Sequence, residues 1–333
     1  PLKLAMDREV DFLARYRMVS GKLKKRFLRK PNVAEAIQQF GALGRALDSQ
    51  ECPPYAAMCS LAQARCEHLQ GNQSWEVQYL VDSANHFLKA HWSDETLKCP
   101  NFQEHLMAAI NCYNHALRVC IEQKQPALAA MYSLQLGDHL MKLGKPGEAI
   151  THYQRAAEFQ YQTPLDCLNS MAKVSSCKIN IGDYDGALTT LTEMEYLVRE
   201  RGTRNHTGRP LGAYSDILAS CEIKRILLLV LLQPTPQRIR PEHAQTLERF
   251  TWNTTADGNS TNVSLSEELF ILLQSVVMAC QSKDVEALQA LQTDLWKHFT
   301  ARTESPTPSC GGADHQGWAR CFITLALDCE QLN

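Results

Sequence analysis

The sequence predicts an all-α protein, an α-solenoid in which antiparallel helix pairs stack on one another. The first observation is the stretch Met131–Gln160, where apolar residues keep helical spacing on both sides of a short break. The break contains Gly144 and Pro146, residue types that end one helix and begin the next. The second observation is that similar breaks recur at 124–129 and 182–187. Because one helix pair cannot bury its apolar face alone, recurring pairs are expected to stack.

The central helix pair resembles a tetratricopeptide repeat. That pattern places Leu-Gly and a large residue in the first helix, Gly at the turn, and Ala, an aromatic residue and Ala in the second. The matching residues are Leu136, Gly137, Leu140, Gly144, Ala149, Tyr153 and Ala156, while Ser133 and Tyr161 depart from the preferred Trp and Pro. Gly182 and Ala187 occupy the turn and the first small position of the following pair. We therefore expect a tetratricopeptide-like α-solenoid in which these residues pack helix against helix.

Composition places the chain among ordinary globular proteins. Its 333 residues are 44% hydrophobic and 21% charged, with a formal net charge of −2, which is enough to build a substantial core. The near-neutral balance argues against a protein that coats nucleic acid. The most apolar run, Ile226–Leu232, is much shorter than the roughly 20 residues that span a bilayer. We therefore expect a core helix there and only indirect association with membranes.

The 13 cysteines are an odd number and form no CxxC pair. Cys52, Cys59 and Cys66 recur at seven-residue steps, which places them on one face of helical structure. We interpret the cysteines as buried, reduced thiols, which indicates a cytoplasmic protein. Cys112 and His115 could share a helical face, but no second pair of metal-ligand type lies near them in sequence, so no metal site is expected.

We expect one helical domain at residues 11–300. A leader at 1–10 is expected to be poorly ordered, loops are expected near 202–212 and 251–265, and 301–333 is a divergent tail.

Apolar residues recur at helical spacing in each predicted helix, and proline separates several helices, as at Pro31, Pro53 and Pro234. The predicted helices are Asp11–Lys30, Ala34–Leu47, Tyr55–Leu69, Asn72–Ala90, Phe102–Gln123, the central pair at 131–160, Pro164–Ile181, Tyr184–Arg201, Ala213–Gln233, Pro241–Phe250, Leu269–Gln281 and Asp284–Phe299.

The first predicted helix carries a candidate partner-binding face. Its apolar stripe is formed by Phe12, Tyr16, Val19, Leu23 and Phe27. Its opposite side is basic and contains Lys22, Lys24, Lys25, Arg26, Arg29 and Lys30. Three interpretations stay open: a solvated surface, an electrostatic contact with an acidic protein partner, and a contact with phosphate or an anionic membrane.

A second candidate contact lies at the start of the helix near residue 269. Ser264 or Ser266 can cap this helix, and an acidic first turn complements the helix dipole. Apolar residues of this helix that the rest of the chain leaves uncovered are expected to contact a partner. The candidate contacts are Glu267, Glu268 and Phe270.

No motif of catalysis or nucleotide binding is present, since GxGxxG, GxxxxGK[ST], HExxH and GxSxG are all absent. We expect neither enzymatic activity nor a cofactor. Trp75, Trp92 and Phe102 are expected to serve core or cap packing, because no basic residues interleave with them as in a base-stacking surface. The repeats also lack the recurring polar positions that repeat proteins use to recognise RNA. No nucleic-acid partner is therefore expected.

Three further stretches are similar to one known family. They are residues 11–36 (DFLARYRMVSGKLKKRFLRKPNVAEA), 241–250 (PEHAQTLERF) and 267–279 (EELFILLQSVVMA). On these stretches the chain is identified as a member of the 40-kilodalton huntingtin-associated protein family. The resemblance runs from about Asp11 to Trp296, and it includes the central helix pair.

This resemblance implies a non-catalytic, tetratricopeptide-like partner held between the HEAT-repeat lobes of huntingtin. It further implies binding to an early-endosomal Rab GTPase, regulation of endosome motility, and a cytoplasmic location with early-endosome association and a nuclear pool. The loop 202–212 is short where mammalian members carry a Pro-rich insert, and the sequence departs from the family's ending after Phe299. The alternative is a huntingtin-independent vesicle or membrane adaptor that uses the basic N-terminal helix.

Overall fold

The computed structural model describes residues 2–24, 32–100, 102–204, 206, 210–235, 237, 239–250 and 265–300. These residues contain α-helices and one isolated antiparallel bridge, between Arg204 and Pro210, but no β-strand. The all-α prediction is confirmed. The helices are α1 (Leu2–Leu23), α2 (Val33–Asp48), α3 (Pro53–Gln70), α4 (Gln73–Thr96), α5 (Glu104–Glu122), α6 (Pro126–Lys142), α7 (Pro146–Phe159), α8 (Pro164–Asn180), α9 (Tyr184–Arg201), α10 (Ala213–Leu232), α11 (Pro241–Arg249), α12 (Glu267–Ser282) and α13 (Val285–Thr300).

Helices that follow one another in sequence pack against each other. This holds from α1 to α5 and from α7 to α10, while α10 also contacts α8, α11 and α12. Because short turns join such neighbours, they run antiparallel, as in an α-solenoid. The chain divides into two compact units, residues 1–136 (unit 1) and 137–333 (unit 2), and the boundary falls within α6. A single domain over 11–300 stays a prediction.

The turn between α6 and α7 shows how the sequence sets a helix boundary. Gly144 has a φ of 67°, a left-handed conformation that glycine adopts without a steric penalty. The Lys145 N–H then donates to the Leu140 carbonyl over 2.9 Å, which satisfies an otherwise unpaired carbonyl of the last helical turn. Pro146 lies in the first turn of α7, where its missing N–H costs nothing. The glycine and the hydrogen bond recur after α8, where Gly182 has a φ of 83° and the Asp183 N–H donates to the Lys178 carbonyl over 2.9 Å.

The core of unit 1 forms where α2, α3, α4 and α5 face one another. Its largest fully buried side chains are Phe40, Leu80, Leu106 and Tyr113. One polar group among them, the buried Ser83 hydroxyl, donates to the Ala57 carbonyl over 2.9 Å. The Tyr113 hydroxyl likewise donates to Asn85 Oδ1 over 3.0 Å. These two bonds join α4 to α3 and to α5.

The helix α10 lies at the centre of unit 2. Its apolar run Ile226–Leu229 is at most 2% exposed, so the prediction of a core helix there is confirmed. No helix within the described ranges, α10 included, has both the length and the sustained apolarity that crossing a membrane requires. Arg225 is also buried in α10, where its Nη1 lies 2.5 Å from Oε2 of Glu195 on α9.

One helix boundary differs from the sequence-based expectation, and two expected segments lie wholly or mostly outside the described residues. The helix α1 begins at Leu2, so helical structure extends into the expected leader ahead of Asp11. Residues 251–264 of the second expected loop and the tail at 301–333 lie outside the described residues. The expected loop at 202–212 contains the bridge described above.

Candidate protein-interaction surfaces

The residues that match the repeat pattern lie inside the helix array. Leu136, Leu140, Ala149, Tyr153, Ala156 and Ala187 are all buried. Gly137 lies on α6 facing the Tyr153 ring, and Gly144 and Gly182 form the two turns described above. These residues therefore pack helices together, and partner contacts have to come from other side chains.

A polar cluster joins α6, α7 and α8 beside the repeat-packing residues. The Tyr153 hydroxyl donates to Asp138 Oδ1 over 2.6 Å, and the Lys173 ammonium lies 2.6 Å from the same oxygen. Lys173 also lies over the Tyr153 ring, 5.3 Å from its centroid. Burial, together with the Asp138 carboxylate, raises the pKa of Tyr153. The hydroxyl therefore remains protonated and acts as a structural donor between helices.

The aromatic residues proposed as partner contacts on α1 pack within unit 1. The centroid of the Phe12 ring lies 4.9 Å from that of Tyr55, and the Tyr16 ring lies 5.2 Å from that of Phe40. Phe12 is buried and Tyr16 is half-buried, so α2 and α3 already cover these rings. A partner-binding role of α1 stays a prediction. Among the described side chains of α1, Leu13 and Met18 are large apolar residues that are exposed.

The basic face of α1 is described only in part. The Lys22 ammonium lies 3.3 Å from Glu35 Oε1 of α2, and Lys24 is exposed. Because an exposed ion pair contributes under about 1 kcal/mol, Lys22 can exchange Glu35 for an acidic group of a partner at little cost. The other candidate residues of this face, Lys25, Arg26, Phe27 and Arg29, lie outside the described residues.

The start of α12 presents both charge and an exposed apolar side chain, Ile271. Ser266 caps the helix through its side chain, and Glu267 and Glu268 are exposed in the first turn. The Phe270 ring packs on the Phe250 ring with a centroid separation of 4.7 Å, and Phe270 is partly buried. Unit 2 thus covers much of the apolar residue proposed here as a contact. The role of the two carboxylates stays a prediction.

The expectation that Trp75, Trp92 and Phe102 serve core or cap packing is wrong. All three are exposed, and Phe102 is 97% exposed. Helical periodicity could not show this, because it does not tell whether another helix covers a given face. The exposed large apolar side chains of α3, α4 and α5 and their connections are Tyr55, Met58, Leu69, Trp75, Trp92, Leu97, Phe102, Met107 and Ile121.

The described cysteines are free thiols, and most are buried. Burial raises the pKa of Cys59 to about 12 and that of Cys177 and Cys280 to about 11, so these thiols are protonated and unreactive at neutral pH. Cys99, after the end of α4, is exposed. In the part of the chain that the structure describes, no three His, Cys, Asp or Glu side chains are grouped so that they could hold a metal ion.

No family model matches the chain. The 40-kDa huntingtin-associated protein of Mus musculus is 41% identical to it over 340 residues, an alignment that covers 87% of this chain and 89% of the mouse protein. The chain belongs to the 40-kDa huntingtin-associated protein family. The protein of the same name from Rattus norvegicus is 40% identical, with the same coverage.

Membership of the 40-kDa huntingtin-associated protein family confirms the resemblance found in residues 11–36, 241–250 and 267–279. The names of the mouse and rat proteins state an association with huntingtin.

Proposed function

We propose that this chain binds huntingtin between its HEAT-repeat lobes and acts as a non-catalytic scaffold that stabilises it. The observation that carries the proposal is 41% identity, over 87% of the chain, to a mouse protein named for huntingtin association. The helix array supports it, because stacked helix pairs expose side chains along extended faces that suit large protein contacts. An interface clasped by a larger repeat protein would bury more than about 2,000 Å².

The finer part of the proposal is that the chain links huntingtin to an early-endosomal Rab GTPase and thereby regulates endosome motility. It follows from the family resemblance, which implies that membranes are reached through the GTPase. On this proposal the chain works in the cytoplasm and at early endosomes, and membrane association is indirect.

Co-expression of the full chain with full-length huntingtin tests the first part. The two proteins should co-purify through a tag on huntingtin and co-elute in size-exclusion chromatography at physiological salt. Huntingtin in the complex should also melt at a higher temperature than huntingtin alone, because a ligand of the folded state stabilises it. A soluble, folded chain that elutes apart from huntingtin would refute the proposal.

Nucleotide-dependent retention tests the second part. An early-endosomal Rab GTPase loaded with a non-hydrolysable GTP analogue should be retained on the immobilised complex, and the same GTPase loaded with GDP should pass through. Equal retention of both forms, or of neither, would remove the Rab link and leave huntingtin binding untouched.

The exposed Lys22 in the last turn of α1 and the exposed Lys24 just after it favour one alternative, an adaptor that binds anionic membranes without huntingtin. Liposome flotation distinguishes the two proposals. If the chain alone floats with vesicles that contain acidic lipid and not with neutral ones, the membrane alternative gains support. If flotation requires the Rab GTPase, membrane association is indirect.

A further inference from the structure

Two helix connections of unit 1 lie side by side on one edge of the array. They are the α2–α3 and α4–α5 connections, and alternate connections fall on the same edge when successive helices run antiparallel. The Lys89 ammonium, on the last third of α4, lies 2.9 Å from Asp48 Oδ1 at the end of α2, which places the end of α2 beside this part of α4. His105 Nε2 of α5 lies 3.7 Å from Asp94 Oδ2 of α4, which closes the second connection.

Large apolar side chains are exposed all along this edge. Single exposed apolar residues need no explanation, but a group of them on one side of a folded unit indicates an interaction site. Leu97 is 72% exposed and Phe102 is 97% exposed, so the two largest exposures lie in the same connection. We name these side chains the apolar edge: Tyr55, Met58, Trp92, Leu97, Phe102 and Met107.

Hydrogen bonds hold described residues on the two sides of the α4–α5 connection. The Phe102 N–H donates to Glu104 Oε2 over 2.9 Å, and the Cys99 N–H donates to the Asp94 carbonyl over 2.8 Å. Exposed aromatic residues such as Phe102 are typical of the residues that dominate binding energy.

Among the described residues of these helix ends and connections, acidic side chains outnumber basic ones. A hydrogen bond from Lys89 lowers the pKa of Asp48, and backbone N–H donors lower that of Glu104, so both carboxylates are ionised at neutral pH. The acidic residues are Asp48, Glu51, Asp94, Glu95 and Glu104, and the basic ones are Arg45, Lys89 and Lys98. A matching partner surface therefore combines apolar side chains with Lys or Arg.

We infer that the apolar edge of unit 1 inserts into an apolar groove of huntingtin that is rimmed by basic side chains. This inference rests on the proposed function and adds to it the surface and the chemistry of the contact. A second copy of this chain fits the edge poorly, because it would place acidic side chains against acidic side chains. An anionic membrane is disfavoured by the same charges.

The decisive variant is Leu97→Ser together with Phe102→Ser in the full chain. Both side chains are exposed, so circular dichroism and the melting temperature should match those of the wild type. The affinity for purified huntingtin, measured by biolayer interferometry, should fall at least about tenfold. The matched control is Leu69→Ser with Tyr196→Ser, two exposed side chains outside this edge, and its affinity should stay within about twofold of the wild type.

A second variant tests the charges. Glu51→Lys with Glu95→Lys should slow association with huntingtin at low salt, and the difference from the wild type should shrink as salt is added. Unchanged association rates at low salt would overturn the proposed basic rim.

The outcomes separate this inference from the function on which it depends. If the wild type binds huntingtin and the serine variant binds equally well, the inference is overturned and the proposed function stands. If the wild type does not bind huntingtin, both the inference and the proposed function fail. Sedimentation that shows wild-type dimers, lost in the serine variant, would assign the edge to a second copy and overturn the inference. Flotation of the wild type with anionic vesicles that is lost in the serine variant would likewise overturn it.

Discussion

The ring of Tyr153 occupies the space that a side chain at position 137 would need. A β-carbon on Gly137 would lie 2.6 Å from Cε1 and 2.9 Å from Cδ1 of Tyr153, which is closer than such contacts normally come. The ring cannot easily retreat, because its hydroxyl donates to Asp138 over 2.6 Å. The packing of α7 on this part of α6 therefore depends on glycine at position 137.

Gly137→Ala should destabilise the chain. Overpacking of this kind costs about 1–3 kcal/mol, while alanine recovers about 1 kcal/mol of helix propensity, so we expect a net loss of up to about 2 kcal/mol. Urea denaturation, monitored by circular dichroism, measures this change in the free energy of unfolding. Gly147→Ala is the matched control, since no atom lies within 4 Å of a β-carbon there, and its stability should be unchanged or higher. Equal midpoints for the two variants would contradict the prediction.

Glu195→Ala should be among the most destabilising substitutions in unit 2. Arg225 is 3% exposed and pairs with Glu195, so the variant leaves a buried guanidinium with hydrogen bonds of 3.4 Å to Thr192 and 3.5 Å to Thr246. Breaking a buried pair from one side costs about 3–5 kcal/mol.

The control for Glu195→Ala is Glu193→Ala, an exposed carboxylate on the same helix, which should change the free energy of unfolding by no more than about 0.5 kcal/mol. Adding Arg225→Met to Glu195→Ala should recover much of the lost stability, because the double variant no longer buries a guanidinium without a carboxylate partner. A double variant as unstable as Glu195→Ala alone would show that the buried charge is not the cause.

Unit 2 should lose stability as the pH falls below about 6.5. Burial, aided by nearby cationic side chains, lowers the pKa of His139, His152 and His243 in the folded chain. The unfolded chain, in which histidine titrates near 6.5, therefore binds more protons between the folded pKa values and about pH 6.5. Stability is full above that window and declines through it, by at most about 1.4 kcal/mol per pH unit for each histidine.

Urea denaturation at pH 7.5, 6.5 and 5.5 measures this dependence. His152→Gln should make the decline shallower, and His206→Gln, which replaces an exposed histidine, controls for the loss of an imidazole. A urea midpoint that rises as the pH falls would contradict the prediction, because buried neutral histidines should make the midpoint fall.

Reversing the basic face of α1 should slow association with huntingtin. The variant combines Lys24→Glu, Lys25→Glu and Arg26→Glu, and its association rate should drop at low salt and approach that of the wild type at high salt. Lys124→Glu with Lys142→Glu, on exposed positions of other segments, is the control. If association at low salt is the same for the variant and the wild type, the basic face is a solvated surface.

Local features of the fold could be predicted because the sequence itself encodes them. Gly144 and Pro146 set a helix boundary through backbone conformation and a missing N–H, and these effects need no distant partner. Apolar spacing likewise placed Phe12 and Tyr16 on one stripe of a helix. It could not show that α2 and α3 cover that stripe, because coverage depends on residues far along the chain.

The candidate surfaces were harder to predict for the same reason. Glu195 has the spacing of a surface carboxylate, and only the fold brings it to the buried Arg225 of α10. Trp92 and Phe102 have the composition of core residues, but the structure places them at a helix end and in a connection. Aromatic character alone does not distinguish a buried ring from an exposed one.

Cys99 provides a natural position for a spectroscopic reporter. Its thiol is exposed between Leu97 and Phe102, whereas most other described cysteines are buried and protonated. With Cys310, Cys321 and Cys329 changed to serine, a maleimide dye should therefore label Cys99 first. The fluorescence intensity of that dye should change when huntingtin binds or dissociates, so stopped-flow fluorescence can follow docking in real time.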